Sequence, residues 1–398
     1  MNIKRHFHLY HLFSNNFSIL SYLLASAINS IAARWGLSFF IIGLINFTGA
    51  LSYVTASLSF GRLGDRFGQK RLLMVSTMFF AFFNILGFFW SNVAELFIFA
   101  TGMNFFFGTF FPQIEGLLSK REKKLGIDPA STINRFTISW STGNIIGMAL
   151  GPFLIVKFPY ITFGYGMILS FVASLILKRD LLRHEEYLHF DPSPKLKIPS
   201  KLIDFPRIGL YRKVYRTTLF LSGLVYSAVL SLFPKVISMS GLSIGISGFL
   251  IMGANIGVLV TFLLLGKFKI WVANPKISLI FLLVFPVMVF LIFMPTSPVI
   301  FFLISLFAGM SYAVPYTYAI FYGLNSQDED EGKQGGFHEA IIGMIFGIGP
   351  LLGGLAIQFA RGLVGLGITS IFILAIIWGL QTWFIRKVGK HKKRIPLQ

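Results

Sequence analysis

The chain has 398 residues, of which 55% are hydrophobic and only 13% are charged, with a formal net charge of +20. No water-soluble domain keeps that much apolar surface away from solvent, so a soluble globular fold is excluded. The positive charge does not mark a nucleic-acid binder, because the basic residues lie in short groups between apolar runs and form no single stripe. Cysteine is absent from the composition, which removes disulfides, thiolate metal sites and thiol chemistry.

Lys4 and Arg5 precede an apolar run with no small-residue cleavage pattern, and further apolar runs follow directly. The first run is therefore expected to stay as a helix and not to leave as a signal peptide. A helix crossing a bilayer needs about 20 mostly apolar residues. That criterion predicts spans at 13–33, 37–60, 71–90, 95–118, 133–156 and 158–178. The polar interval 179–213 comes next and contains Pro192, Pro194, Pro199 and Pro206, so it is no single long helix. Residues 201–215 mix aliphatic, aromatic and basic side chains, which suits either a segment on the membrane surface or a solvated linker. Six more spans are predicted at 214–237, 243–266, 276–294, 298–322, 336–360 and 363–385. Continuous apolar runs of this length exclude a membrane barrel, whose strands are short and alternate. The expected fold is an all-α integral membrane protein with twelve transmembrane helices in two pseudo-symmetric six-helix bundles. Residues 1–178 and 214–386 form the bundles, 179–213 the cytoplasmic linker and 387–398 a basic cytoplasmic tail.

Cytoplasmic loops of membrane proteins carry an excess of Lys and Arg. With both termini inside, only Arg34, Lys157, Lys235 and Arg361 of the 35 basic residues fall on the outer face. A missed span would scramble that asymmetry, so it supports the helix count as well as the orientation. The net charge is a topology signal, with anionic lipid as the counter-surface.

The two halves echo each other. Residues 102–119 and 309–326 match at Gly102/Gly309, Met103/Met310, Gly116/Gly323, Leu117/Leu324 and Ser119/Ser326. Gly151-Pro152 recurs as Gly349-Pro350, and Gly61-Arg62-Leu63 is echoed weakly by Gly266-Lys267-Phe268. Their common order argues for a duplicated six-helix unit, an arrangement that supports alternating access.

Between the second and third spans stands GRLGDRFGQKR, residues 61–71. Gly61 would let a helix end approach its neighbour closely, and Asp65 could face the positive end of a helix. Gly61, Asp65, Arg66, Gly68, Lys70 and Arg71 resemble the signature loop of the major facilitator superfamily. The resemblance implies a twelve-helix secondary transporter in which Asp65 contacts the eleventh helix and stabilises the state closed to the cytoplasm. GNIIGMALGP, residues 143–152, is similar to the fifth-helix motif of proton-coupled efflux members through Gly147, Gly151 and Pro152, although Ile155-Val156 replaces the usual Gly-Gly. That pair appears instead in GPLLGG at 349–354. Small residues four apart also serve ordinary close packing of helices, so export is favoured only slightly.

Charges inside membrane spans carry functional hypotheses. Glu115 closes the fourth span and Arg135 opens the fifth. The resemblance to sugar-porter-like relatives implies that they join Arg66 in an inner gate; an interfacial position is the plainer reading. His338 and Glu339 open the eleventh span, where Glu339 suits the helix dipole and the pair suits proton coupling. No Asp, Glu, Lys or Arg falls at the middle of a span, which argues against a doubly charged anion as substrate. The family resemblance implies a cavity lined by the first, fourth, seventh and tenth spans. These offer Tyr22, Ser26, Asn29, Asn104, Gln113, Tyr226, Tyr312, Tyr316 and Tyr318, with Trp140, Asn144 and Asn255 on flanking helices. Such a lining suits a neutral or amphipathic organic solute. An uptake symporter or facilitator for a sugar-like metabolite, and a transport-inactive receptor on the same fold, stay open as alternatives. No enzyme is expected, because no set of catalytic side chains is concentrated at membrane depth. No cofactor, metal or nucleic acid is expected either; the partners are the bilayer, the solute and protons, and the expected state is a monomer. The basic run 120–124 and the acidic run of Asp328, Glu329, Asp330 and Glu331 end pseudo-equivalent helices, and they are either solvated loop ends or an electrostatic latch.

Overall fold

Apolar runs of this length have one way to satisfy their backbone amides in lipid, and every such run among the described residues is helical. The computed structural model describes residues 3–89, 91–125, 129–183, 207–272, 274–294, 296–324 and 331–392. Thirteen α-helices occur among them: α1 Ile3–Arg34, α2 Phe39–Phe67, α3 Gln69–Phe83, α4 Val93–Leu125, α5 Pro129–Lys157, α6 Pro159–Arg183, α7 Ile208–Met239, α8 Ile244–Ile251, α9 Gly253–Lys267, α10 Leu279–Ile292, α11 Pro298–Leu324, α12 Glu331–Phe359 and α13 Leu363–Lys392. A 3-10 stretch, Asn84–Phe89, prolongs α3. Helices α8 and α9 together make one span, interrupted at Met252.

Eleven of the described segments are long and apolar enough to cross a membrane. The predicted span 276–294 contracts to α10, only 14 residues long with Pro286 inside it. At 1.5 Å per residue it measures about 21 Å, short of a hydrocarbon core of about 30 Å. Pro275 and Pro295 bracket it in the sequence, and each disfavours helix in the residue before it.

The chain passes back and forth, so α1 starts and α13 ends on one face of the molecule, called here the terminal face. The pairings repeat between the halves. Helix α1 packs on α5, α2 on α4 and α3 on α6; correspondingly α7 packs on α12, α9 on α11 and α10 on α13. The halves meet where α2 lies on α12, where α5 lies on α8 and α9, and where α1 meets α7. Helix α7 is buried along most of its length, whereas Phe79, Phe89, Leu283 and Phe359 are each more than 70% exposed on the rim, as lipid-facing side chains are.

The repeat reaches individual side chains. Ser26 bonds back to the Leu23 carbonyl at 3.1 Å and Gly151 of α5 sits on that turn; Ser227 bonds back to the Leu224 carbonyl at 3.2 Å and Gly349 of α12 sits there. Neither glycine has room for a methyl group. Gly147 packs likewise on the Ile19 carbonyl, Pro152 lies against Gly248 of α8, and the Pro350 carbonyl meets Gly43 of α2.

The segment 61–71 is not a loop. Helix α2 runs on to Phe67, and Gly68 alone, at φ +93°, turns the chain into α3. A side chain there would be strained, which is why that position is glycine. The close approach expected at Gly61 is absent, since nothing lies within 4 Å of where its Cβ would be; it occurs at Gly64, against Gln113 of α4. Residues 184–206 of the linker lie outside the described residues, and the remaining described residues of 179–213 belong to α6, to α7 or, at Arg207, to the turn before α7. The side chains of 120–124 and the acidic run 328–331 also lie outside what is described.

Candidate functional site

Six of the residues expected to line a cavity come together at the centre, from both halves. Tyr226 of α7 stacks on Tyr312 of α11 with ring centroids 4.3 Å apart and planes 6° apart. Its hydroxyl donates to Asn255 Oδ1 on α9 at 3.1 Å, and Tyr22 of α1 lies close enough to interact with it. One turn along α11, Tyr316 meets Tyr312 at 5.6 Å and the edge of Trp140, from α5, at 5.7 Å. Two phenylalanines complete the group: Phe262 between Trp140 and Tyr316, and Phe346 against Tyr22 and Tyr226. Nothing in the sequence separates these two from the other phenylalanines among 46. The result is a ladder of aromatic faces and hydroxyls, with the Asn255 amide nitrogen left without a hydrogen-bond partner. Aromatic faces with one free polar donor hold a planar, weakly polar solute well.

Other expected lining residues serve packing. Asn29 accepts from Asn46 of α2 at 2.8 Å, and Ser231 of α7 donates to Asn46 at 3.4 Å, so these three form a polar tie between the halves. Asn46 was missed, although an asparagine inside an apolar run was the available signal. Asn104 bonds back to the Ala100 carbonyl at 2.9 Å and lies against Gly49. Asn144 is buried on α5, Ser26 seats Gly151, and Gln113 donates to the Phe60 carbonyl at 2.8 Å. Tyr318 faces away from the ladder and joins Tyr215, Trp271 and Tyr322 inside the second half.

The charged residues regroup most. Helix α4 runs ten residues beyond Glu115, and α12 begins eight residues before Glu339, so neither carboxyl sits at a helix end. The helix-dipole role for Glu339 falls away, since that field is confined to the first turn. The expected gate of Glu115 with Arg66 and Arg135 is not assembled. Arg66 and Arg135 are exposed, and Arg66 lies over the Phe67 ring at 5.5 Å. Long basic side chains near helix ends reach out toward water and headgroups, which accounts for both. Glu115 instead lies close enough to interact with Glu339 across the boundary between the halves, and Glu339 accepts the hydroxyl of Tyr53 on α2. Tyr53 was missed. His338 is buried with its ring against Tyr316 at 5.0 Å, and neither of its nitrogens has a hydrogen-bond partner. Lys70 pairs with Asp180 of α6 at 2.7 Å, both 5% exposed, which fixes α3 inside its own half. Arg71 is exposed, and the side chain of Asp65 lies outside what is described.

On the opposite face a second tie joins the halves. Lys235 of α7 donates to the carbonyls of Gly36 and Leu37 just past the end of α1, with its ammonium 4.9 Å from the Phe39 ring centre. The Phe40 amide donates to Gln358 of α12 at 3.4 Å. A cavity of about 460 Å³ opens there, bounded by Phe39, Lys235, Ser238 and Gln358.

Known proteins share this arrangement. The profile of the Major Facilitator Superfamily matches residues 12–327. A multi-drug resistance efflux pump PmrA homolog of Lactococcus lactis subsp. lactis (strain IL1403) is 27% identical over 146 residues, which span 36% of this chain and 36% of that relative. The solved structure of a bacterial homologue of the human lysosomal transporter Spinster, inward-facing and unoccupied, superimposes with a TM-score of 0.70 at 14% identity, covering 97% of this chain and 98% of that one. Tetrameric PepTSo2 gives 0.68 at 13% identity over 99% and 100%. The nucleoside transporter NupG gives 0.64 at 13% over 97% and 99%. At these identities the structural likeness shows the fold alone.

Proposed function

This chain belongs to the Major Facilitator Superfamily and is a multi-pass membrane transporter, not an enzyme; we propose that it exports a small neutral or amphipathic organic solute in exchange for protons. The observation that carries the reading is the aromatic ladder from Tyr22 and Trp140 of one half to Tyr226, Tyr312 and Tyr316 of the other. None of its members is charged, and its side chains come from helices that must separate if the halves rock. A solute with an aromatic or apolar face replaces ring-to-ring contacts with ring-to-solute contacts, while the Asn255 amide supplies one hydrogen bond. Basic residues crowd the terminal face, which supports placing that face, with both termini, in the cytoplasm of a cell membrane.

The ties at the two faces suit alternating access. Loosening Lys235 opens the pathway outward, and loosening the Tyr53–Glu339 contact opens it inward. Asp65, Arg66, Gly68, Lys70 and Arg71 are read as holding the turn between α2 and α3 beside the inner opening. The export direction is supported by the partial likeness to the efflux-pump homologue.

Reconstituted proteoliposomes test the function. A panel of labelled nucleosides, sugars and amphipathic aromatic dyes is offered with an acidic lumen and with no pH gradient. Concentrative uptake of amphipathic or neutral aromatic solutes into the acidic lumen by inside-out protein is the expected result. Movement of anionic solutes alone, or of none, overturns the reading.

A further inference from the structure

We propose that Glu115 and Glu339 form a shared-proton site that holds the inner ends of the two halves together. The proposal rests on the reading of this chain as a proton-coupled transporter, and it names where the proton binds. Its basis is geometric. Glu115 stands on α4 of the first half and Glu339 on α12 of the second, helices that pack on each other, and the two carboxyls lie close enough to interact directly. Neither carboxylate carries a hydrogen of its own, so a hydrogen bond between two carboxyl groups exists only while one of them holds a proton. Glu339 is buried and Glu115 half-buried, and among the described residues neither makes an ion pair with Lys or Arg.

The surrounding groups leave the proton as the variable element. From α2, the Tyr53 hydroxyl donates to Glu339. From α11, Tyr316 lies close enough to interact with both carboxyls and Tyr312 with that of Glu339. His338 precedes Glu339 on α12 and faces Arg216 of α7, whose guanidinium lies 4.8 Å over the Phe337 ring. The tyrosines add hydroxyl donors and no countercharge. With the proton present, the pair is a neutral-plus-anion hydrogen bond closing the seam. When the proton leaves, two carboxylates face each other in a site with little water and repel. The reaction balances as one carboxylic acid–carboxylate pair giving two carboxylates and one proton released to the inner side. The gate is therefore closed by acid and opened by loss of the proton. An acid–base ion pair would do the reverse, since it needs both partners charged.

The test needs no solute. The sequence contains no cysteine, so Lys178→Cys on α6 and Lys213→Cys on α7, both exposed and from opposite halves, take spin labels cleanly. Distances are measured in nanodiscs across acid to alkaline pH, in the labelled parent and with Glu115→Gln, Glu339→Gln or both. Infrared spectra of the unlabelled wild type read the protonated carboxyl band directly, so that arm does not depend on any variant folding. The expected results are a one-proton lengthening of the inner distance with rising pH in the parent, its loss in the Gln variants, and a protonated carboxyl band that disappears over the same pH interval. Persistence of the pH-dependent lengthening in the double Gln variant overturns the proposal, as does a wild type with no such band. If the band and the distance change appear while no solute moves in proteoliposomes, the proton site stands and only the transport reading falls.

Discussion

Replacing Lys235 with methionine keeps the apolar stem and removes the ammonium that ties α7 to the end of α1. In the structure that ammonium donates to the Leu37 carbonyl, lies 3.5 Å from the Gly36 carbonyl and 4.9 Å from the Phe39 ring centre. A hydrogen bond to a charged group contributes about 1.5–3 kcal/mol. A cation over an aromatic ring adds about 0.5–1 kcal/mol at an exposed site. Lys235 is half-buried at the rim of an open cavity, so solvent takes back much of this, and about 1.5 kcal/mol remains. That shifts the balance between closed and open states at this face roughly tenfold. Labels on Arg34→Cys and Met239→Cys, both exposed at the ends of α1 and α7 away from the terminal face, report the distance by pulsed electron resonance. The open population is expected to rise about tenfold in Lys235→Met. Lys157→Met, on the same face but with its ammonium over Phe153 of its own helix, is expected to change nothing. An unchanged distance distribution in Lys235→Met, or an equal change in Lys157→Met, refutes the role of this tie.

Three further outcomes are expected. Tyr316→Ala raises KM for the transported solute more than Tyr22→Ala does, because Tyr316 touches Trp140, Phe262, Tyr312 and His338 at once; each lost ring contact is worth about 0.5–1.5 kcal/mol, and equal KM values in the two variants contradict the placement. Gly349→Val and Gly151→Val each destabilise the protein by about 1–3 kcal/mol, read as a lower melting temperature in detergent, whereas Gly379→Val, where nothing lies within 4 Å, leaves melting nearly unchanged. Asp65→Asn leaves membrane abundance intact and slows turnover sharply; wild-type rates at equal abundance remove Asp65 from the gate.

How much of this was legible in the chain depends on the range of the interaction. Span positions are local quantities, since twenty apolar residues in a row have no alternative to helix in lipid, and most predicted ends lie within a few residues of the observed ones. Departures come at α10, which is shorter than the predicted span, and in the segment 61–71, where polarity suggests a loop although helix continues to Phe67. The aromatic ladder was half legible, because Tyr and Trp inside apolar runs stand out while Phe262 and Phe346 do not.

The residues alone determined a multi-pass helical protein and its internal repeat, since hydropathy and glycine spacing act over a few residues. Only the tertiary structure decided which charges meet. In the sequence, the family resemblance pairs Glu115 with Arg66 and Arg135, opposite charges that would attract if they met. The packing of α4 and α2 on α12 overrides that preference and brings Glu115 to Glu339 beside Tyr53, while Arg66 and Arg135 reach outward. On the proposal made above, two acids share such a site through a proton, which no sequence records.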